Sequence, residues 1–185
     1  MNPLDIINEF YEPGSRLHEI LVIHSTAVAA KAMSVASRVS HLNPDLAFIQ
    51  EAAMLHDIGI FLTDAPSIGC KGKHQYVCHG FLGRELLEDR GLRKHALVCE
   101  RHVGVGLTLE EIKSRVLPLP LRDMVPITLE EQIVCYADKF FSKKNSNNGR
   151  ELSLDDVVKS LEKYGSDKVQ RFLDWVKLFN NDVLA

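Results

Sequence analysis

The sequence has few of the features that mark secreted, zinc-cluster or nucleic-acid-binding proteins. Its cysteines form no C-x-x-C pair and stand mostly among apolar neighbours, which argues against a zinc cluster or a disulfide framework. The net charge of −3 argues against a nucleic acid polymer as a partner, because binding to a phosphate backbone usually needs a basic excess. We expect reduced, partly buried thiols at all four cysteines, which are Cys70, Cys78, Cys99 and Cys135.

The sequence also has no apolar run near the ~20 residues that a helix needs to cross a bilayer. The N-terminal stretch MNPLDIINEFYEPGS is acidic and is broken by proline and glycine, so it lacks the pattern of a secretory signal. We therefore expect no membrane partner and a cytoplasmic protein. The length of 185 residues suggests one domain that can bury a sizeable core.

The sequence does contain helical periodicity with clear start and stop signals. Apolar residues at helical spacing fill the segments 15–39, 44–58, 76–89 and 92–103, and no segment alternates as a strand does. This pattern predicts an all-α protein, a compact multi-helix bundle rather than a coiled coil, because no heptad is sustained. The predicted helix starts are Asn2-Pro3, Ser15, Asn43-Pro44, the capping boxes at Thr108 and Thr128, and the caps Ser153 and Ser166.

Loops and domain limits follow from composition. Residues 62–75 are rich in glycine and lysine and predict a loop, and the polar stretch 143–150 predicts a mobile one. We interpret residues 1–185 as a single domain with a core at about 15–142. The segment 151–185 has an apolar stripe that we expect to pack on this core; a homodimer surface is the alternative.

Polar residues of metal-binding type stand inside or at the ends of apolar stretches in five predicted helices. A carboxylate beside an apolar run is costly to bury unless it is paired or binds a metal ion. A single core histidine is more often a hydrogen-bonded structural residue than a ligand. The simplest explanation for the whole set is that its members converge. They are His24, His56, Asp57, His79, His102 and Asp138.

This pattern resembles the H…HD…D signature of the HD superfamily of metal-dependent phosphohydrolases, over about residues 15–142. The resemblance rests on His24, on the doublet His56-Asp57 followed by Ile-Gly, and on Asp138 within Tyr-Ala-Asp-Lys. It implies an HD-domain fold in which these four residues hold one metal ion.

Two further histidines extend the resemblance. His79 and His102 resemble the subset of the superfamily that binds a second metal ion, with Asp57 bridging the two ions. The stretch 100–108 resembles a group of uncharacterised HD-domain proteins that are known only as predicted hydrolases. The resemblance therefore implies a six-ligand dinuclear site and leaves the substrate open.

The ligand chemistry favours a transition metal independently of the resemblance. Four imidazoles and two carboxylates without a thiolate suit Fe, Mn, Co, Ni or Zn. We therefore expect two divalent transition-metal ions as cofactors. Two such ions about 3.5–4 Å apart can activate a shared water and hold a phosphoryl oxygen.

A phosphorylated substrate also needs cations close to the metals. Lys139 directly follows Asp138 and resembles the lysine that commonly follows the last aspartate in the family. We assign Lys139 a catalytic role together with Asp57. The alternative for Lys139 is a solvated helix lysine.

Four more residues are candidates for binding the phosphate. Lys71, Lys73 and His74 lie in the glycine-rich loop, which could fold over the site and bind an anion. Arg101 stands beside His102. For each residue taken singly, an exposed polar position is the alternative.

One departure from related families limits the substrate. The HD-GYP cyclic dinucleotide phosphodiesterases usually place a lysine after His-Asp-Ile-Gly, and here Ile60 occupies that position. The GYP tripeptide is also missing after His102. Both differences argue against cyclic dinucleotide hydrolysis.

Three functions remain open from the sequence. The favoured one is a phosphohydrolase that uses a metal-activated hydroxide on a nucleotide or a small phosphate ester or anhydride. The second is a mixed-valent di-iron oxygenase, since some HD-fold enzymes of that kind have the same six-ligand arrangement. The third is a non-enzymatic module that senses a nucleotide, which intact ligands argue against.

Overall fold

The computed structural model describes residues 1–143 and 149–179. Within these residues the chain forms nine α-helices and one small antiparallel sheet, which confirms the predicted all-α bundle. The helices are α1 (Pro3–Phe10), α2 (Arg16–Arg38), α3 (Leu46–Leu55), α4 (His79–Glu88), α5 (Arg93–Arg101), α6 (Leu109–Ser114), α7 (Leu129–Asp138), α8 (Leu154–Glu162) and α9 (Ser166–Phe179). The two strands are β1 (Asp64–Ala65) and β2 (Cys70–Lys71).

Most helices begin where the capping residues indicate. The cap side chains accept a hydrogen bond from a first-turn N–H at Asn2, Ser15, Thr108, Thr128 and Ser153. At Thr108 both halves of the capping box form. The helix starts of this fold are therefore encoded locally.

The start of α3 differs from the prediction. Asn43 adopts the left-handed conformation, with φ of 51°, and ends a short 3₁₀ turn instead of capping the helix. Asp45 is the cap, and its Oδ1 accepts a hydrogen bond from the N–H of Phe48 at 3.0 Å. The prediction was wrong here because asparagine suits both a helix start and a left-handed turn end.

The predicted loop 62–75 contains the small sheet. β1 and β2 pair antiparallel, and the N–H of Asp64 donates to the carbonyl of His74 at 2.7 Å. A Cβ on Gly72 would lie 2.0 Å from the backbone carbon of Leu62, so only glycine fits this close approach. The loop is thus folded back on the end of a 3₁₀ turn at Ile60–Leu62.

α2 is the central helix of the bundle and packs against α3, α7 and α9. By length and composition alone it is apolar enough to cross a membrane. Half of that apolar window is buried inside the structure, and the fully buried His24 lies within it. In this structure α2 therefore has the packing of a core helix.

α9 packs on the bundle largely through aromatic rings. Tyr136 of α7 stacks on Phe172 with ring centroids 5.3 Å apart, and meets Phe179 at an angle at 5.1 Å. Trp175 is buried in the same cluster. Most of the described part of the stripe within 151–185 therefore packs against its own chain, although Leu154 and Tyr164 are exposed; residues 180–185 lie outside the described part.

Two cations of α9 also hold the loop that follows α5. Lys168 is only 3% exposed, and its Nζ donates to the carbonyl of Gly106 at 2.8 Å. Arg171 Nη1 donates to the carbonyl of Val105 at 2.9 Å. These bonds fix the path of the chain shortly after His102.

Candidate metal centre

Five helices bring six buried metal-binding side chains to one place. His24 lies inside α2, His56 and Asp57 follow the end of α3, and His79 begins α4. His102 follows α5 and Asp138 ends α7, so three helix C-termini converge on the site. The partial negative charge of a helix C-terminus stabilises a nearby cation. All six residues are at most 6% exposed.

A first group of four ligands surrounds one point. Nε2 of His24 lies 3.2 Å from Oδ2 of Asp57 and 3.0 Å from Oδ1 of Asp138. Nε2 of His56 lies 3.2 Å and 3.4 Å from the same two oxygens. Donor atoms held about 2.1 Å from one ion would be separated by roughly 3.0–3.4 Å. The spacing therefore fits a single first-row metal ion.

A second group shares Asp57 with the first. Oδ1 of Asp57 lies 3.3 Å from Nε2 of His79 and 3.4 Å from Nε2 of His102. The two Nε2 atoms of these histidines are 3.1 Å apart. Because each oxygen of Asp57 faces a different histidine pair, Asp57 is placed to bridge two ions.

Hydrogen bonds fix which nitrogen of the histidines faces the centre. Nδ1 of His56, His79 and His102 lies 2.6–2.7 Å from the carbonyl three residues earlier in the chain, to which it donates. In the neutral ring Nε2 is then the unprotonated nitrogen, with its lone pair toward the centre. Two facing lone pairs repel unless a cation lies between them. These three histidines are thus oriented as metal ligands.

Orphaned carboxylate oxygens support the same interpretation. Oδ1 of Asp57 and Oδ1 of Asp138 are buried and accept no hydrogen bond within the described residues. Leaving such an atom unsatisfied is costly, and buried polar atoms in native proteins are rarely left so. A metal ion bound by both groups would satisfy these atoms. The residues present therefore fit the ions that the ligand chemistry implies.

Gly59 explains how two of the ligand-bearing helices come so close. A Cβ at this position would lie 2.3 Å from the carbonyl oxygen of His79 and 2.5 Å from the backbone nitrogen of Gly83. Only glycine permits this contact between the end of α3 and the start of α4. The glycine after His56-Asp57-Ile58 thus lets Asp57 reach the ligand on α4.

Two lysines neutralise the carboxylates. Nζ of Lys139 lies 2.8 Å from Oδ2 of Asp138 and donates to the carbonyl of His102 at 3.5 Å. Nζ of Lys143 lies 2.6 Å from Oδ2 of Asp57, and its side chain is 13% exposed. The structure therefore places the predicted Lys139 beside the site and adds Lys143.

Lys143 was not predicted as a site residue. It opens the polar stretch 143–150, which was predicted to be mobile; residues 144–148 lie outside the described part of the chain. The sequence does show a lysine pair that begins five residues after Asp138. Because its neighbours are also polar, it could not be distinguished from an ordinary surface loop. Tyr76 was also missed; its ring packs on that of His79 with centroids 4.6 Å apart.

The lysines control the ionisation of the carboxylates. Burial alone would raise the pKa of Asp57, but the Lys143 ammonium and the His56 ring hold that pKa well below its usual range. Burial alone would also raise the pKa of Asp138, but Lys139 and Lys143 hold that pKa well below its usual range. Both carboxylates are therefore charged at neutral pH.

The pKa values of His56 and His102 are shifted in opposite directions. Burial would lower the pKa of His56, but Asp57 and Asp138 raise this pKa to about 9. For His102 burial prevails and lowers the pKa to about 4. In the absence of metal the first group therefore holds a proton that a metal ion must displace.

The other predicted phosphate-binding cations lie elsewhere. The side chains of Lys71, Lys73 and His74 are exposed, and no hydrogen bond or ion pair joins them to the site within residues 1–143 and 149–179. Arg101 pairs with the buried Glu131, with Nη1 2.8 Å from Oε1. The structure thus does not bring these four residues to the metal ligands.

The known proteins that are similar to this chain include the following three relatives. An uncharacterised protein of Methanocaldococcus jannaschii is 35% identical over 78% of this chain and 77% of its own length. Two proteins named tRNA (cytidine(56)-2'-O)-methyltransferase are also similar. That of Thermoplasma volcanium is 28% identical over 85% of this chain, and that of Picrophilus torridus is 30% identical over 72%. The matches span only 43% and 35% of these two proteins.

No solved structure matches the chain. A family model described as HD domain matches residues 21–142, which include all six clustered ligands. The match covers well over half of the sequence. The chain belongs to the HD domain family.

Proposed function

We propose that the chain is a metal-dependent phosphohydrolase that acts on a nucleotide or on another small phosphate ester or anhydride. The HD domain family consists generally of metal-dependent hydrolases. The single observation that most supports an anionic substrate is the charge balance of the site. It concerns Asp57 and Asp138 and the two lysines that face them.

The two carboxylates are already balanced by two ammonium groups. Lys139 neutralises Asp138 at 2.8 Å, and Lys143 neutralises Asp57 at 2.6 Å. Two divalent ions would therefore bring about four positive charges that no carboxylate among the ligands compensates. A buried excess of positive charge is expensive unless an anion enters. A substrate phosphate, together with hydroxide, supplies that anion.

The side chains of the site have separate roles. When bound, the ions supply a nucleophilic water at neutral pH and stabilise charge on a phosphoryl oxygen. Asp57 bridges the two ligand groups and sets their separation. Lys139 holds Oδ2 of Asp138 and so turns Oδ1 toward the histidines. The carbonyl groups that accept from Nδ1 hold His56 and His102 in the ligand orientation.

We propose a small molecule rather than a nucleic acid polymer as the substrate. The net charge of −3 gives no overall attraction to a phosphate backbone. The word tRNA comes from the names of two longer relatives, of which this chain matches less than half. Labelled tRNA titrated with the metal-loaded protein at physiological salt tests this: binding tighter than about 1 μM, well beyond ordinary non-specific affinity, would contradict it.

The proposal is tested by metal reconstitution and a substrate panel. The chelated protein is loaded separately with Mn, Fe, Co, Ni or Zn, and phosphate release is measured from nucleotides, dinucleoside polyphosphates and phosphomonoesters. We expect release that depends on metal and is lost in Asp57→Asn, while Asp64→Ala, an exposed control, retains it. No release from any compound, with two iron ions per chain, an EPR signal and substrate-dependent oxygen uptake, would favour the oxygenase instead.

A further inference from the structure

Lys143 is a nearly buried cation whose present partner is a metal ligand. Its Nζ lies 2.6 Å from Oδ2 of Asp57, the oxygen that also faces His24 and His56. The chain before it is held in place, since the N–H of Leu152 donates to the carbonyl of Phe140 at 2.8 Å. The ammonium is therefore at the centre of the site because of the fold.

Metal binding would remove this partner. Oδ2 of Asp57 belongs to the first ligand group, so an ion bound there takes the lone pairs that now face the ammonium. The ammonium would then lie beside two cations and need another anion. Its flexible four-carbon stem lets it turn to a nearby oxygen without moving the backbone.

Lys139 does not have this freedom. Its Nζ lies 2.8 Å from Oδ2 of Asp138, and this oxygen faces neither histidine of the first group. A metal bound at Oδ1 would leave that pair intact. Lys139 therefore remains a residue that positions Asp138, whereas Lys143 is the ammonium that becomes available.

Tyr76 provides a second donor at the same place. Its ring packs on His79 of the second ligand group, and the side chain is 36% exposed, so it lies at the edge of the site. Burial raises the pKa of the phenol to about 12 although the charge of Lys143 opposes the rise, so the phenol keeps its proton at neutral pH. One ammonium and one phenol beside two metal positions make a charged, two-donor site for a tetrahedral oxyanion.

We propose that Lys143, assisted by Tyr76, binds the phosphoryl oxygens of the substrate once metal occupies the ligand groups. This inference rests on the proposed phosphohydrolase function and adds the residue that recognises the phosphate. Lys143 thus has the role that the sequence suggested for Lys71, Lys73 and His74.

The test measures binding of inorganic phosphate to the metal-loaded protein by isothermal titration calorimetry, with metal content determined on the same samples. We expect Lys143→Met to weaken phosphate binding about tenfold or more while keeping the wild-type metal stoichiometry and melting temperature. Lys143→Arg should retain most of the affinity, and Tyr76→Phe should lose a few-fold. Lys71→Met, an exposed lysine, is the matched control and should bind phosphate as the wild type does.

Two results would overturn the assignment. Unchanged phosphate affinity in Lys143→Met would show that the ammonium does not bind the anion. Loss of metal in both Lys143→Met and Lys143→Arg would make it a support of the ligands instead. Phosphate binding that depends on Lys143, in a protein that hydrolyses no phosphate compound, would reject the proposed function and leave this assignment standing.

Discussion

Nε2 of His79 faces Nε2 of His102 across 3.1 Å, while the Nδ1 atom of each ring donates to a carbonyl of its own helical segment. Both hydrogen bonds direct lone pairs at each other, an arrangement that is unfavourable without a cation between them. A bound metal ion converts this repulsion into two coordinate bonds. The histidine pair therefore couples metal binding to the stability of the fold.

Removal of metal should lower the melting temperature of the protein. An ion present at about 100 times its Kd stabilises by roughly 2.7 kcal/mol, and each kcal/mol corresponds to about 2–4 °C in a chain of this size. We expect a fall of roughly 5–10 °C when a chelator is added, measured by differential scanning calorimetry. The double variant Asp57→Asn, Asp138→Asn should show no chelator effect; an equal shift in that variant would mean that the stabilising ion binds elsewhere.

Replacing Asp57 and replacing His102 should have different effects on metal content. Asp57 belongs to both ligand groups and His102 to one, so Asp57→Ala should lose both ions and His102→Ala only one. Elemental analysis of protein purified without chelator measures this directly. The exposed Asp64→Ala variant is the control. Full metal content in Asp57→Ala would be incompatible with a bridging role.

Metal affinity should rise with pH until about pH 9. The pKa of His56 in the metal-free protein is raised to about 9, so below this pH a proton must leave before the ring can bind an ion. The apparent affinity should therefore increase by up to tenfold per pH unit between pH 7 and 9 and level off above. Competition with a chelator of known proton affinity at several pH values measures this. An affinity that does not change with pH would show that His56 is already neutral.

Arg101→Met should affect stability rather than substrate recognition. Arg101 pairs with Glu131, which is 4% exposed, and within the described residues the substitution leaves the buried carboxylate with only the N–H of Ile127 as a hydrogen-bond donor. We expect a loss of about 2–3 kcal/mol, somewhat less than for a fully buried pair because Arg101 itself is partly exposed. Urea unfolding measures this loss. A raised KM with unchanged stability would instead restore Arg101 as a phosphate-binding residue.

Much of the fold could be predicted because its signals are local. Ser15 and Thr108 cap helices through atoms only three residues away, and the sequence displays both partners. His24, His56 and Asp138 stood out because they are polar residues in apolar surroundings. The prediction that they lie close together rested on the resemblance to a family more than on the sequence of any one helix.

The residues that sequence analysis missed depend on contacts between distant segments. Lys143 is polar among polar neighbours, and only the packing of α7 against the bundle directs it to Asp57. Arg101 appeared to be a substrate residue because it adjoins His102, but one helix position turns its side chain about 100° away. It faces Glu131 instead. Adjacency in sequence predicted proximity of backbones and not of side chains.

α9 lies beyond residue 142, where the match to the family model ends. Yet Phe172 stacks on Tyr136, two residues before the last metal ligand, and Lys168 holds the carbonyl of Gly106 shortly after His102. A fragment cut at the limits of the family match would keep every ligand but would lose the α9 contacts that support the chain next to Asp138 and His102. We therefore expect that a stable metal centre needs a longer segment than the one by which the family is recognised.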